Sequence, residues 1–298
     1  MESRMGIKIS NRYRGFVADV AQVLLPIYEA EEARSIAKRV LSDIVGVTTT
    51  EMALYPDREI SHEYMERIEI AIERLSKGEP LQYVAGFEEF CGERFEVGEG
   101  VLIPRPETEE LVEIILKQTK IQGDDKIKIV DLACGSGCIG ISLANRLTNS
   151  QLVSVDLSEK ALEYTQRNAE KILGGKDVKV IKMDLLDENR DESEITGADI
   201  IVSNPPYIME MEKQQMRPNV LNFEPHLALF VSDDDPLLFY RAIAKSSKER
   251  LNKGGRLYFE INEALGKEVV ELMEMLGYQK VILYKDFRGK ERFVQGEK

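Results

Sequence analysis

The spacing of hydrophobic positions changes twice along the chain, and these changes divide it into three parts. In residues 1–79 apolar side chains recur every three or four residues, as at Met65, Ile68, Ile72 and Leu75, which places them on one face of a helix. Two further apolar stripes predict helices at Tyr13–Tyr28 and Glu31–Val45. We therefore expect an N-terminal helical bundle domain, which either has a structural role or recognises a partner.

The second part, residues 80–104, has a pattern that indicates a β-hairpin linker. Between Leu81 and Ile103, aromatic and apolar residues are separated by glycines and charged residues, and Cys91-Gly92 is a predicted turn. A helix is expected to begin near Pro106, because acidic residues follow it in a first turn, where the helix dipole favours negative charge.

In the third part, residues 105–298, strand-like and helix-like runs alternate, which predicts an α/β domain with a mostly parallel sheet covered on both faces. The predicted strands are Ile127–Leu132, Leu152–Val155, Val178–Met183, Asp199–Ser203, Arg256–Ile261 and Lys280–Tyr284. The predicted helices are Cys138–Leu147, Ser158–Leu173, Pro236–Asn252 and Ala264–Leu276. A last strand ends at Phe293-Val294, and the short connection before it predicts an antiparallel pair with Lys280–Tyr284 at a sheet edge.

Composition narrows the functional classes. The 298 residues include 40 Lys and Arg against 53 Asp and Glu, and the resulting charge of −13 disfavours a protein that wraps nucleic acid. The three cysteines are an odd number and predict no disulfide framework. Neither of the two histidines lies near a cysteine pair in sequence, so we expect no zinc site and no other metal. The sequence also lacks a membrane-length apolar run and a signal-peptide pattern, so we expect a soluble, cytoplasmic protein.

A glycine-rich loop joins the first predicted strand of the third part to its helix. Gly135, Gly137 and Gly140 fit the spacing G-x-G-x-x-G, in which glycines allow a ligand to approach the backbone. Asp156 ends the next strand, where a carboxylate can bind ribose hydroxyls. This pattern alone does not separate sites for NAD, FAD and S-adenosyl-L-methionine.

Acidic residues near the loop favour one of these ligands. Asp131 lies four residues before Gly135, where we expect it at the mouth of the same loop, and Asp184 ends the third strand. A carboxylate repels the pyrophosphate of a dinucleotide, whereas S-adenosyl-L-methionine is net cationic. Each of these two aspartates alone is better explained as a solvated strand end or a helix cap. Together with Asp156, however, they favour S-adenosyl-L-methionine.

The tetrapeptide Asn204-Pro205-Pro206-Tyr207 follows a strand of buried character and indicates the chemistry. The prolines remove two backbone donors, so nearby carbonyls are free to accept hydrogen bonds, and the side chain of Asn204 offers another acceptor. Tyr207 offers an aromatic face. These groups can hold a planar NH2 group, whose lone pair is delocalised, and can stabilise the positive charge that develops when it is methylated. A proline-rich turn without a function is the weaker explanation.

The chain resembles the peptide chain release factor glutamine N(5)-methyltransferases over nearly its whole length. Besides the glycine loop and the tetrapeptide, the resemblance rests on Pro80-Leu81-Gln82-Tyr83, Val101-Leu102-Ile103-Pro104-Arg105-Pro106-Glu107-Thr108, Phe223-Glu224-Pro225 through Ala228-Leu229, and Lys285-Asp286 before Arg292. It implies a seven-stranded, Rossmann-like methyltransferase sheet in residues 105–298 and an N-terminal domain that helps to recognise the release factor. It also implies transfer of a methyl group from S-adenosyl-L-methionine to the glutamine of a Gly-Gly-Gln motif.

The resemblance implies roles for particular residues as well. The residues expected to contact the cofactor are Pro106, Glu107, Thr108, Ala133, Cys134, Gly135, Ser136, Gly137, Asp156, Asp184, Leu185 and Asn204. The residues expected to hold the glutamine and promote its methylation are Asn204, Pro205, Pro206 and Tyr207. Three segments depart from the family pattern: Ala133-Cys134 in place of Gly-Thr, Leu185 in place of an aromatic residue, and Phe259-Glu260-Ile261-Asn262 in place of Glu-Ile-Gly.

Other functions are consistent with parts of this pattern. The same tetrapeptide would suit adenine-N6 methylation of DNA or RNA, although the acidic composition speaks against that substrate. The glycine spacing alone would suit a dinucleotide-dependent oxidoreductase, and the helical N-terminal part would suit a non-catalytic adaptor.

Overall fold

The computed structural model describes residues 9–119 and 126–298, and it divides the chain into two compact units. The first unit contains the described residues through Phe87 together with Arg217–Phe223, and the second contains those of Glu88–Met216 and Glu224–Lys298. The division into residues 1–79, 80–104 and 105–298, with the functions attached to it, stays a prediction.

The first unit is helical, as its apolar spacing predicts. Its helices before the hairpin are α1 (Tyr13–Leu24), α2 (Ala30–Val40), α3 (Thr49–Leu54), α4 (His62–Ser76) and α5 (Leu81–Ala85). The face of α4 that carries Met65, Ile68, Ile72 and Leu75 is buried in the core of this unit. The single helix predicted at Glu31–Val45 is instead α2 followed by a wider π-helical turn at Leu41–Val45.

The predicted hairpin is present but begins later than expected. Its strands are β1 (Phe87–Phe90) and β2 (Glu93–Glu96), and both Cys91 and Gly92 have the positive φ that a tight two-residue turn requires. The preceding residues from Leu81 form α5 rather than a strand. A helix is favoured there because Pro80 precedes it and its carbonyl accepts from the amides of the first turn.

The second unit contains a seven-stranded, mostly parallel sheet, which confirms the expected fold class. The remaining strands are β3 (Ile127–Leu132), β4 (Ser150–Asp156), β5 (Val178–Lys182), β6 (Ala198–Ser203), the short β7 (Ile208–Met209) and β8 (Phe230–Val231), β9 (Leu251–Glu260), β10 (Gln279–Lys285) and β11 (Glu291–Glu297). The order across the sheet is β10-β11-β9-β6-β3-β4-β5. The expected antiparallel pair is confirmed, with β10 at the edge and β11 also antiparallel to β9.

Alternate side chains of the central strands enter two separate cores, one on each face of the sheet. In β3, Val130 and Leu132 join one core, whereas Ile129 joins the other. The remaining helices are α6 (Thr108–Gln118), α7 (Cys138–Arg146), α8 (Glu159–Leu173), α9 (Pro218–Phe223), α10 (His226–Leu229), α11 (Leu238–Arg250) and α12 (Gly266–Met275). Buried residues of α6, α7 and α8 pack in one core, and those of α11 and α12 pack in the other. Among the described residues, no helix is both long and apolar enough to cross a membrane.

Candidate active site

The register of the central strands brings four functional segments to one edge of the sheet. Four residues are aligned as neighbours across β4, β3, β6 and β9, namely Val155, Leu132, Ser203 and Phe259. The residues that follow them are therefore neighbours at the carboxyl ends of the strands, in the order Asp156, Ala133, Asn204 and Glu260. In open α/β sheets this is the edge at which ligands bind.

The glycine loop between β3 and α7 has an unusual backbone. Ala133, Gly135 and Gly137 have φ values of 57°, 58° and 79°, in the left-handed region. A Cβ atom built on Gly135 would meet no heavy atom within 4 Å, so the backbone there faces open space. At Gly137 a Cβ atom would collide with Ile141 and Thr165. Gly135 therefore leaves room for a ligand, whereas Gly137 allows α7 and α8 to pack closely.

Asp156 is fixed to the glycine loop by hydrogen bonds. Its Oδ2 accepts from the amide of Gly135 at 2.9 Å, and its Oδ1 accepts from the amide of Ser158 at 2.9 Å. Burial raises the pKa of Asp156, and these two backbone donors oppose that effect. The carboxylate is thus held at a defined place beside the open backbone at Gly135.

From the sequence we expect Asp131 at the mouth of the loop, and this expectation is wrong. In the structure Asp131 lies beneath the loop. It is almost fully buried, and its Oδ2 accepts from the amide of Gly140 at 2.9 Å, while its Oδ1 has no hydrogen-bond partner. Burial raises the pKa of Asp131 to about 7. Its side chain supports the start of α7 and is not part of the ligand-facing surface.

A cavity opens at this edge of the sheet and contains most of the predicted cofactor residues. Those that line it are Thr108, Ala133, Cys134, Gly135, Ser136, Asp156, Asp184, Leu185 and Asn204, and from the tetrapeptide also Pro206. The predicted residues that do not line it are Pro106, Glu107, Gly137, Pro205 and Tyr207. Apolar side chains such as Leu102, Leu157 and Phe239 complete the walls.

A buried ion pair connects two segments that line this cavity. Arg105 donates to Oε1 of Glu224 at 2.6 Å, and the amide of Ile103 donates to Oε2 of the same side chain at 3.1 Å. The Glu224 side chain is only 1% exposed. The segment before α6 is thus joined to the segment before α10, which also lines the cavity at Pro225 and Leu227. We refer to the contacts of Arg105 and Ile103 with Glu224 as the Glu224 clasp.

The Asn204–Tyr207 turn presents one free side chain to the cavity. The side chain of Asn204 has no hydrogen-bond partner among the described residues, although it lines the cavity. The hydroxyl of Tyr207 instead points to Glu260, donating to its Oε1 at 3.1 Å. Thr108 also donates its hydroxyl to Glu260, at 2.6 Å, so the proton of this hydroxyl is not available to a ligand. Asn204 therefore has the polar side chain of the turn that is available to bind a ligand.

The cysteines of the loop are packing residues. The Sγ of Cys134 lies 3.4 Å from the hydroxyl of Thr165, which donates to the carbonyl of Gly135. Burial raises the pKa of both Cys134 and Cys138, which keeps these thiols protonated. All three cysteines are free. Within residues 9–119 and 126–298 no group of three or more His, Cys, Asp or Glu side chains is arranged to hold a metal ion.

Several supporting residues were missed by the sequence analysis. Asn168 of α8 is fully buried, and its Nδ2 donates to the carbonyl of Ser136 at 2.9 Å. The same side chain bonds both the amide and the carbonyl of Glu96, so it links the glycine loop to β2. A lone asparagine in the middle of an amphipathic helix gives no signal of such a role, because its partners are distant in sequence.

The charged residues that line the cavity indicate which cofactor fits it. Its charged lining residues are Arg105, Asp156 and Asp184, and Arg105 is already paired with Glu224. No unpaired cation therefore lines the described part of the cavity, and the carboxylates of Asp156 and Asp184 would repel a pyrophosphate. A carboxylate for ribose hydroxyls, apolar walls and an open backbone at Gly135 fit S-adenosyl-L-methionine, whose net charge is positive.

The chain is similar to known protein families and to solved structures. The family description "Methyltransferase small domain" matches residues 108–222, and "PrmC N-terminal domain" matches residues 21–86. Among solved structures, a protein-(glutamine-N5) methyltransferase (release factor-specific) from Alicyclobacillus acidocaldarius is 27% identical. It covers 68% of this chain and 99% of its own, with a TM-score of 0.40.

Curated relatives extend the similarity to almost the whole chain. A release factor glutamine methyltransferase from Bacteroides thetaiotaomicron is 42% identical over 93% of this chain and 97% of its own. The enzyme of the same name from Flavobacterium psychrophilum is 40% identical over 95% of this chain and 98% of its own. On this similarity, the chain belongs to the release factor glutamine methyltransferase family and is an enzyme that uses S-adenosyl-L-methionine.

Proposed function

We propose that this chain methylates the side-chain amide nitrogen of the glutamine in the Gly-Gly-Gln motif of peptide chain release factors. The observation that carries the proposal is the position of Asn204. Its unpartnered side chain lines the same cavity as the glycine loop, one strand away from it. The names of the relatives support a release factor as the substrate.

The cofactor would be held by the loop and by the strand ends beside it. Asp156 would accept from ribose hydroxyls, Leu185 would lie against the adenine, and the backbone from Ala133 to Gly137 would approach the methionyl part. Asp184 adds negative charge at the same rim. Pro106, Glu107 and Thr108 would cover the cofactor, although only Thr108 of these lines the cavity.

The turn would position the substrate amide and stabilise its developing charge. S-adenosyl-L-methionine would supply a methyl group on cationic sulfur, and its sulfur would keep the electron pair of the C–S bond when the amide nitrogen takes the methyl group. Asn204 Oδ1 and a backbone carbonyl of the turn would accept the two amide hydrogens, which orients the nitrogen lone pair. Pro205, Pro206 and the ring of Tyr207 would confine the amide plane, although only Pro206 of these lines the cavity. The surplus proton would pass from the alkylated nitrogen to water, so no strong base is required.

Other parts of the chain would serve recognition. We assign residues 1–79 to release-factor recognition, residues 80–104 to a linker and residues 105–298 to catalysis. With a net charge of −13, we expect no direct binding of nucleic acid and no association with membranes. We place the activity in the cytoplasm because translation termination takes place there.

Methyl transfer to a purified release factor tests the proposal. The chain is incubated with methyl-labelled S-adenosyl-L-methionine and a release factor that has either the Gly-Gly-Gln motif or Gly-Gly-Asn in its place. We expect label in the first protein and none in the second. Equal labelling of both would refute the assignment of the glutamine.

Adenine-N6 methylation is the competing activity, because the turn would also hold an exocyclic amine. DNA and RNA are therefore included as acceptors in the same assay. Label in nucleic acid with none in the release factor would replace the proposed function by this one.

A further inference from the structure

Two side chains at the end of β9 hold Tyr207 by both of its polar groups. Glu260 accepts the hydroxyl of Tyr207 at 3.1 Å, and Asn262 donates through its Nδ2 to the carbonyl of Tyr207 at 3.1 Å. Both side chains are buried, with exposures of 1% for Glu260 and 4% for Asn262. The last residue of the catalytic turn is therefore fixed at its backbone and at the far end of its ring.

Each of the two side chains is itself held from several directions. Glu260 receives a second hydroxyl from Thr108 at 2.6 Å, so both of its carboxylate oxygens have a donor. Asn262 also donates to Glu212 at 2.9 Å and accepts from the amide of Ala264 at 3.0 Å. The backbone amide of Asn262 donates to the hydroxyl of Tyr240 at 3.1 Å. Side chains that are held by several hydrogen bonds can keep the turn in one position.

Burying the carboxylate of Glu260 costs free energy, which indicates that its contacts serve more than the stability of the fold. Burial raises the pKa of Glu260, and the hydrogen bonds from Thr108 and Tyr207 together with the positive charge of Arg292 oppose that effect. A buried carboxylate with its donors is commonly no more stabilising than a well-packed apolar side chain. Fold stability alone therefore gives little reason for Glu260 at the end of a core strand.

We propose that Glu260 and Asn262 are positioning residues for methyl transfer, which set the place of Asn204 in the cavity by holding Tyr207. The register supports this, because Ser203 is aligned with Phe259, and so Glu260 lies beside Asn204 at the strand ends. Neither Glu260 nor Asn262 lines the cavity, so they act through the turn and not on the substrate. This inference rests on the proposed function, and it gives the segment Phe259–Asn262 a role that the sequence left unassigned.

The test separates positioning from folding. The variants Glu260→Ala, Glu260→Gln and Asn262→Ala are compared with the parent chain for kcat and KM on the release factor. Affinity for S-adenosylhomocysteine is measured by calorimetry, and the thermal midpoint is recorded. Because small displacements at a reacting centre are costly, we expect kcat to fall by about tenfold to a hundredfold in the two alanine variants. Affinity for S-adenosylhomocysteine should change by less than about fivefold in these variants.

Glu260→Gln is the conservative variant. Its carbonyl can accept one hydroxyl and its amide can donate to the other oxygen, so Tyr207 keeps a partner. We expect it to restore kcat to within about threefold of the parent, a smaller loss than misplacement causes. Should Glu260→Ala fail to fold, Tyr207→Phe takes its place, because it deletes one hydroxyl from the same contact and should lower kcat with cofactor affinity retained.

Asn252→Ala is the matched control. Asn252 lies near the start of β9, where its Nδ2 donates to the carbonyl of Gly197 at 3.0 Å and to Asp199 at 2.8 Å, on the exposed surface. The substitution Asn252→Ala should leave kcat unchanged. The inference is overturned if Asn262→Ala and the Glu260 variants keep the parent kcat while their thermal midpoints fall. If the parent chain does not label the release factor at all, the proposed function fails instead, and the two failures are thereby distinguished.

Discussion

The glycine loop and the Asn204–Tyr207 turn leave neighbouring strands at the same level of the sheet, but they are fixed by different means. The loop after β3 is shaped by its own backbone and by partners only 21 to 32 residues away, namely Asp156, Thr165 and Asn168. The turn after β6 is held by contacts with residues 53 and 55 positions away, at Glu260 and Asn262. One segment is therefore set locally, and the other depends on the completed sheet.

This difference indicates a division of labour within the site. A locally shaped loop can present amides and a carboxylate to a cofactor in one fixed arrangement. A turn with long-range support can leave its first residue, Asn204, without a partner while its last residue is anchored. We therefore expect substitutions at the loop to act on cofactor affinity and substitutions at the turn to act on turnover.

The largest expected effect is that of Asn204→Ala on turnover. Removing the acceptor that orients the amide should lower kcat by about a hundredfold to a thousandfold, in line with the loss of one preorganised polar group elsewhere. Affinity for S-adenosylhomocysteine, measured by calorimetry, should stay within about fivefold of the parent, because the loop is intact. A loss of affinity without a loss of kcat would reverse the assigned roles.

Asp156→Ala should show the opposite behaviour. It removes both the proposed partner of the ribose hydroxyls and the acceptor of the Gly135 amide. We expect affinity for S-adenosylhomocysteine to fall by about thirtyfold, corresponding to roughly 2 kcal/mol, while kcat at saturating cofactor changes little. Asp177→Ala serves as the control, because Asp177 is in an exposed pair with Lys126. Equal affinities for the two variants would contradict the role of Asp156.

Breaking the Glu224 clasp should affect stability before it affects chemistry. Glu224→Gln leaves the partly buried Arg105 with a neutral partner, and we expect the free energy of unfolding to fall by about 2 kcal/mol in denaturant titrations. The matched variant is Glu113→Gln, whose pair with Arg146 is exposed and should contribute less than about 1 kcal/mol. A Glu224 variant as stable as the Glu113 variant would show that the clasp is not a stabilising contact.

The smallest effect is that of a change of one pH unit, which acts on stability through Asp131. Its pKa is raised to about 7 in the folded chain, so between about pH 4 and pH 7 the folded state binds a proton that the unfolded state has lost. The contribution of Asp131 to the free energy of unfolding should therefore fall as pH rises through this range, by at most about 1.4 kcal/mol per unit. Above about pH 7 this contribution should be constant, because Asp131 is then ionised in both states. In Asp131→Asn this dependence should be absent, which denaturant titrations of both proteins at several pH values would show. Parallel pH profiles for the two proteins would contradict the buried position of Asp131.

The two regions also differ in how far the sequence predicts them. Gly135, Gly137 and Asp156 follow a spacing that a single stretch of sequence displays, and the alternation of strands and helices predicts that the carboxyl ends of the parallel strands share one edge of the sheet. The Asn204 turn is recognisable as chemistry, but its supports are not, because Glu260 and Thr108 are 152 residues apart and meet only in the folded sheet. Asp131 is placed wrongly for a different reason, because its partner Gly140 is only nine residues away. Its position four residues before a glycine does not reveal whether its carboxylate points toward a ligand or under the loop.

The most direct test of the account is a crystal structure of the chain with S-adenosylhomocysteine and a Gly-Gly-Gln peptide. We expect the glutamine amide nitrogen to lie about 3 Å from Asn204 Oδ1, with the sulfur on the open side of Gly135. An amide bound away from Asn204, or a sulfur outside the cavity beside the glycine loop, would contradict it.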